Sequence, residues 1–148
     1  MDTQSGYLLV VEDIPDILKL LDATLKFKGY RVLTARNGEE ALEVIQKERP
    51  LIVITDILMP KMDGFSLVHT LRIHSETRSI PVIFLSATYV APEDKAFALN
   101  IGATRFIEKP DAALAESLLS NPRCLWNAGI FLARADVLIA EAARHAPA

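Results

Sequence analysis

Five short runs dominated by Val, Ile and Leu, Tyr7–Val11, Arg31–Ala35, Leu51–Thr55, Pro81–Leu85 and Thr104–Ile107, alternate with longer amphipathic stretches. The runs are continuously apolar rather than alternately apolar and polar, as strands covered on both faces require. Strand and helix in strict alternation imply parallel strands joined by right-handed crossovers, with helix layers on either side of one sheet. A doubly wound α/β fold with a five-stranded parallel sheet is therefore expected.

The stretches between the runs carry helix punctuation. The first has Pro15 near its start, an apolar face of Ile14, Ile17, Leu18, Leu21 and Leu25, and Gly29 as its stop. In the second, Asn37 and Glu40 form a capping-box-like pair, and Pro50 closes the segment. A third helix follows Gly64 with Phe65, Val68 and Leu71 in register, and a fourth runs from Pro92 to Asn100 with Gly102 beyond it. Asp63, placed before Gly64 and a helix, reads as a cap or turn residue rather than a ligand. His69 and His74 are five apart and share no helical face for metal binding, so both are expected on the solvated surface.

Composition removes several classes of function. A chain of 148 residues suits one domain with a real core. The net charge of −3 provides no basic field, and no Lys/Arg run stands out, so direct nucleic-acid binding is not expected. The single Cys124 excludes an internal disulfide and points to a reducing compartment, so a cytoplasmic location is expected. The stretch Met1–Gly6 lacks an apolar core, and no apolar run approaches membrane-spanning length, so neither secretion nor membrane association is expected. The six glycines are too scattered for a nucleotide-cradling loop.

Polar groups stand at the carboxyl end of four of the five strands: Glu12 and Asp13 after the first, Asp56 after the third, Ser86 after the fourth, Lys109 after the fifth. In a parallel sheet these ends share one edge, the edge where open α/β folds bind ligands. An Asp there can be a metal ligand, a nucleophile, or both. Three converging carboxylates repel one another, and a hard cation with oxygen ligands would relieve the strain. Magnesium suits such a site because it accepts few protein oxygens and keeps waters that a phosphoryl oxygen can replace. Lys109 would complete a phosphoryl-transfer site by facing an acyl phosphate on Asp56. Taken singly, each group has a plainer reading: Asp56 or Ser86 as a helix cap, Glu12–Asp13 as an acidic turn, Phe106 as core.

Together these residues make the chain resemble the receiver domains of two-component response regulators. The matching segments are Glu12-Asp13, Asp56-Ile57-Leu58-Met59-Pro60-Lys61-Met62-Asp63-Gly64, Ser86-Ala87 and Phe106-Ile107-Glu108-Lys109-Pro110, within residues 7–110. The resemblance implies a flavodoxin-like sheet of order 2-1-3-4-5 and a cis peptide between Lys109 and Pro110. It implies a signalling domain, not an enzyme acting on a separate substrate: Asp56 accepts a phosphoryl group from a histidine kinase or phosphotransfer protein, and the domain assists its own phosphorylation and dephosphorylation. Asp13, Asp56 and the Leu58 backbone carbonyl would bind Mg2+, with Glu12 acting through water. Ser86 would hydrogen-bond the phosphoryl group, Lys109 would pair with it, and Phe106 would turn inward as Ser86 moves. A homodimer or an output partner would use the face of the fourth helix, fifth strand and fifth helix.

The chain departs from that pattern after Pro110. Asp111–Leu119 reads as a helix, and the stretch from Cys124 to Asp136, with Trp126-Asn127-Ala128-Gly129, resembles part of a mannose-1-phosphate guanylyltransferase or related sugar nucleotidyltransferase over 106–148. That resemblance would place Glu108, Lys109 and Asn127 by a sugar, but the bulk of such an enzyme is missing. A receiver domain at 5–120 with an atypical tail at 121–148 is the expected division. In the tail, residues near Gly129–Ala133 would add a sixth parallel strand and Arg134–His145 a final helix with Ala135, Leu138, Ile139 and Ala142 on one face. The competing readings are a phosphorylation-independent interaction module, a chimeric fragment, and, more remotely, a nucleotidyltransferase fragment.

Overall fold

The computed structural model of the chain describes residues 6–86 and 91–108. They form β1 (Leu8–Val11), α1 (Pro15–Phe27), β2 (Val32–Ala35), α2 (Gly38–Lys47), β3 (Ile52–Thr55), α3 (Gly64–Ile73), β4 (Val82–Ser86), α4 (Pro92–Asn100) and β5 (Arg105–Glu108). All pairings are parallel and the sheet order is β2-β1-β3-β4-β5. The doubly wound five-stranded sheet and its order are as expected. The fifth strand lies one residue later than the run that announced it, because the Thr104 amide donates to the Val82 carbonyl and the Thr104 hydroxyl accepts from the Val82 amide before the ladder begins.

Apolar runs become two-sided strands because both faces are covered. Every residue of β1, β3 and β4 is buried, whereas the edge strand β2 exposes its middle. On one face, Leu9, Val11, Val53, Val82 and Phe84 pack against Ala41 and Ile45 of α2, Leu67, Val68 and Leu71 of α3, and Ala98 of α4. On the other, Leu8, Val10, Ile52, Ile54, Ile83 and Leu85 share a cluster with Leu21 and Leu25 of α1. Each large apolar side chain removed from water contributes about 1.5 to 3 kcal/mol. Phe84 adds an edge-to-face contact with Phe65, ring centres 5.6 Å apart.

The helix boundaries follow their caps. The Asn37 side chain accepts from the Glu40 amide at 2.9 Å, while the Glu40 carboxylate reaches back to the Arg36 amide at 3.0 Å. Asp63 caps α3 by accepting from the Ser66 amide at 2.8 Å, the cap role read from its place before Gly64. Ile14 departs from the expected apolar face. It occupies the extended position ahead of α1 and is exposed, since a residue outside the helix no longer follows its periodicity. His69 and His74 are both exposed, the latter bonded through Nδ1 to the Thr70 carbonyl. Among the described residues, no helix is long and apolar enough to cross a membrane. The expected helix at 111–120, the sixth strand, the final helix and the Lys109–Pro110 peptide all lie outside the described residues.

Candidate phosphoacceptor and metal site

The sheet register brings the acids together. Val11 of β1 lies beside Thr55 of β3, so Glu12 and Asp56 leave adjacent strands at the same level. The Asp56 amide donates to the Val11 carbonyl at 3.1 Å, and the Glu12 amide donates to the Ala35 carbonyl at 3.0 Å, extending the ladder one step past the strands. Oxygen atoms of Glu12, Asp13 and Asp56 consequently lie within 4.8 Å of one another. Glu12 is 1% and Asp56 9% exposed, so two of the three carboxylates are largely withdrawn from water.

The segment after Asp56 is tightly constrained. One Asp56 carboxylate oxygen accepts from the Ile57 amide at 2.7 Å, which orients the side chain, and the Thr55 hydroxyl donates to the Asp56 carbonyl at 2.8 Å. The Gly64 amide closes back on the Ile57 carbonyl at 2.7 Å. Within that loop the Met62 amide bonds the Pro60 carbonyl at 2.7 Å across Lys61, whose φ of +65° puts a side-chain-bearing residue in the left-handed region. Such a γ-turn is strained. The Met62 carbonyl then accepts from the Gly38 amide at 3.1 Å, tying the loop to the start of α2.

Gly64 has a reason the sequence did not disclose. A Cβ there would strike the Asp56 carbonyl oxygen and approach the Ile57 Cα to 2.9 Å and a Phe84 ring carbon to 3.0 Å. The glycine lets α3 begin directly against the backbone that presents Asp56. Thr55, Lys61 and Gly38 likewise carry no signal of their own in the sequence. Thr55 reads as one more strand residue, and Lys61 lacks the Gly or Asn signature of a positive φ.

Ser86 ends β4, wholly buried, in register with Glu108 at the end of β5. Phe106 is half-buried, its ring 6.3 Å from that of Phe84, with the Lys95 ammonium 5.9 Å from its centre. Leu58, whose backbone carbonyl was expected to join Asp13 and Asp56 as a ligand, follows Asp56 by two residues and has an exposed side chain. Lys109 lies outside the described residues. Three clustered carboxylates, two of them buried, are a hard-oxygen donor set that suits a divalent cation.

Comparison with known proteins agrees with this geometry. The sequence model of the family described as response regulator receiver domain matches residues 8–118. The chain is 41% identical over 110 residues to a probable transcriptional regulator ycf27 of Pyropia yezoensis, covering 74% of this chain and 44% of that protein. It thus spans about half the length of the curated relatives it matches first. Among solved structures, the signal receiver domain of a histidine kinase from Syntrophus aciditrophicus is 36% identical with a TM-score of 0.65, covering 82% of this chain and 91% of that one. The chemotaxis response regulator CheY4 of Vibrio cholerae is 33% identical with a TM-score of 0.66, covering 83% and 94%. The nucleotidyltransferase-like reading of 106–148 gains no support from these matches.

Proposed function

The chain belongs to the response regulator receiver domain family, and from that membership we propose that Asp56 is its phosphoacceptor. The donor would be a phosphohistidine on a histidine kinase or phosphotransfer protein. The phosphorus–nitrogen bond breaks as a phosphorus–oxygen bond forms to the Asp56 carboxylate, and the imidazole leaves to take up a proton from solvent. The observation that carries this reading is the convergence of Glu12, Asp13 and Asp56 within 4.8 Å at the carboxyl edge of the sheet.

Asp13, Asp56 and the Leu58 carbonyl would hold Mg2+, with Glu12 acting through water. Bound there, the cation would offset the charge that accumulates between carboxylates and phosphoryl oxygens. The residues of the chain divide the remaining work. The Ile57 amide holds one Asp56 oxygen in a fixed direction, so the carboxylate is oriented before the donor arrives. Ser86 would donate to a phosphoryl oxygen, Lys109 would supply a positive charge to it, and Phe106 would follow Ser86 inward. Replacing a carboxylate by a phosphoryl group of about −1.5 to −2 charge biases the domain toward a second conformation. A bias of about 1 to 3 kcal/mol suffices for a signal.

The receiver unit would occupy 5–120 and the tail 121–148. The domain would act in the cytoplasm, and its output would pass to a partner or a second copy through α4, β5 and the helix expected at 111–120. Incubation with Mg2+ and acetyl phosphate, followed by intact-mass measurement, tests the reading. The expected result is a gain of one phosphoryl group that requires Mg2+ and is absent in Asp56→Asn. A folded protein that gains none from either acetyl phosphate or a phosphorylated kinase would refute it.

A further inference from the structure

Two helices of the sheet end in the same way. After α1, the Gly29 amide bonds the Lys26 carbonyl and the Tyr30 amide the Leu25 carbonyl, with Gly29 at φ +99°. After α4, the Gly102 amide bonds the Leu99 carbonyl and the Ala103 amide the Ala98 carbonyl, with Gly102 at φ +120°. Both are the paired closing bonds of a left-handed glycine cap. What covers them differs. A Cβ on Gly29 would meet nothing within 4 Å, whereas one on Gly102 would lie 2.9 Å from Cγ and Nε of Arg72.

Arg72, in the last turn of α3, spends its guanidinium on backbone carbonyls rather than on a carboxylate. Nε and Nη2 donate to the Gly102 carbonyl at 3.0 and 2.8 Å, and Nη1 donates to the carbonyls of Arg78 and Ile80 at 3.1 and 2.7 Å. One planar group thereby joins α3, the turn that leads into β4, and the turn between α4 and β5. The rest of α4 is largely exposed. Its leading residue, Ala91, offers no side-chain cap, and of its nine residues only Ala98 is buried. Phe97 meets the Phe65 ring at 5.0 Å but is half exposed.

We infer that Arg72 is a positioning residue that anchors the carboxyl-terminal end of α4, making the helix a lever whose fixed end is at Gly102. This deepens the receiver reading, on which its use in signalling rests. A change at Ser86, where β4 leads toward α4, would then swing the far end of the helix while the α4–β5 corner holds still. A lysine could not replace Arg72, because a single ammonium cannot span carbonyls on both sides of the fork.

Amide exchange measured residue by residue on the full chain tests the anchor. In Arg72→Lys and Arg72→Met, exchange at Gly102 and Ala103 is expected to accelerate about ten- to hundredfold, as loss of charge-assisted hydrogen bonds implies. Gly29 and Tyr30, in the matching cap of α1, are expected to keep wild-type rates. Equal acceleration at both caps would mean that Arg72 only adds global stability, and unchanged rates at Gly102 would mean that it anchors nothing; either result overturns the inference. A second comparison, before and after phosphorylation, reads the lever. In the wild-type chain Asp94 and Lys95 should change their exchange while Gly102 and Ala103 do not, and in the variants the change should spread to Gly102. A wild-type response equally large at Gly102 would overturn the lever. Failure of the wild-type chain to take a phosphoryl group from any donor would instead refute the receiver reading, and the unmodified-chain comparison would still decide the anchor.

Discussion

Gly64→Ala should damage both stability and phosphorylation, because the added carbon meets backbone rather than a side chain that could turn away. The new Cβ would collide with the Asp56 carbonyl oxygen and stand 2.9 Å from the Ile57 Cα. Phe84 gives no room, since its ring is buried and packed edge-on against Phe65. Gly64 is not among the glycines of positive φ, so alanine incurs no conformational strain of its own, and the collision is the main unfavourable term. Overpacking of this kind costs about 1 to 3 kcal/mol. The better helix preference of alanine returns up to about 1 kcal/mol. A net loss of about 1 to 2 kcal/mol corresponds to a fall in melting temperature of roughly 2 to 8 °C for a domain of this size.

The effect on chemistry should exceed what stability predicts. Relief of the collision requires the Asp56 carbonyl or the start of α3 to shift, which misdirects the carboxylate held by the Ile57 amide. Small misplacements of reacting groups lower rates steeply, so phosphorylation by acetyl phosphate, followed by intact mass, is expected to slow about tenfold or more. Gly29→Ala is the control. It adds a side chain at φ +99° in open space, costing about 1 to 2 kcal/mol of strain far from Asp56. It should lower the melting temperature similarly and leave phosphorylation untouched. If Gly64→Ala melted within about a degree of the parent and phosphorylated at its rate, the reasoning from backbone contact would be wrong.

Tyr7 makes the fold sensitive to alkali: burial, with Glu48 nearby, pushes its phenol up to about 12 from 10.0, so the folded state holds that proton more tightly than the unfolded chain. The resulting stability is fully present below pH 10 and is lost as pH rises toward 12, about 2 to 3 kcal/mol in all, and denaturant titrations should show this alkaline loss disappear in Tyr7→Phe. The γ-turn strain at Lys61 predicts that Lys61→Val lowers stability by about 1 to 2 kcal/mol while Lys61→Gly does not, and equal melting temperatures for the two would remove strain from the account. For the acidic cluster, Asp13→Asn should raise metal-free stability by up to about 1 kcal/mol through relieved repulsion, yet weaken the stabilisation that Mg2+ confers. Thermal melts with and without Mg2+ should therefore cross, and parallel shifts in both proteins would exclude Asp13 as a ligand.

The strand runs and helix stops were readable because parallel strands buried on both faces leave no polar alternation. Leu8–Val11 and Ile52–Thr55 carry that signal in full. The candidate site was readable for a different reason: parallel topology sends strand ends to one edge, so Glu12, Asp13 and Asp56 could be placed together without knowing a single distance. What stayed hidden depends on close approach. Gly64 sits at a helix start, which hides its contact with the Asp56 carbonyl. Lys61 in the left-handed region and the Thr55 hydroxyl turned onto the next carbonyl have no pattern in a linear sequence. The Arg72 fork reaches carbonyls at 78, 80 and 102, a convergence created only by the tertiary path of the chain.

These contacts divide the domain into an unyielding half and a compliant half. On the first, Asp56 is held by the β1–β3 ladder, the Ile57 amide, the Gly64–Ile57 closure and the Met62–Gly38 bond to α2. A displacement there would drive the start of α3 into the Asp56 carbonyl or break several backbone bonds together. On the second, α4 begins without a side-chain cap and buries one residue, and the half-buried Phe106 ring stands between the Phe84 ring and the Lys95 ammonium. Charge added at Asp56 therefore meets high resistance toward α2 and α3 and low resistance toward α4. On the proposed reading, Asp56 would stay in place while the conformational response would run toward α4, which is how a small chemical change could be converted into a surface that a partner reads.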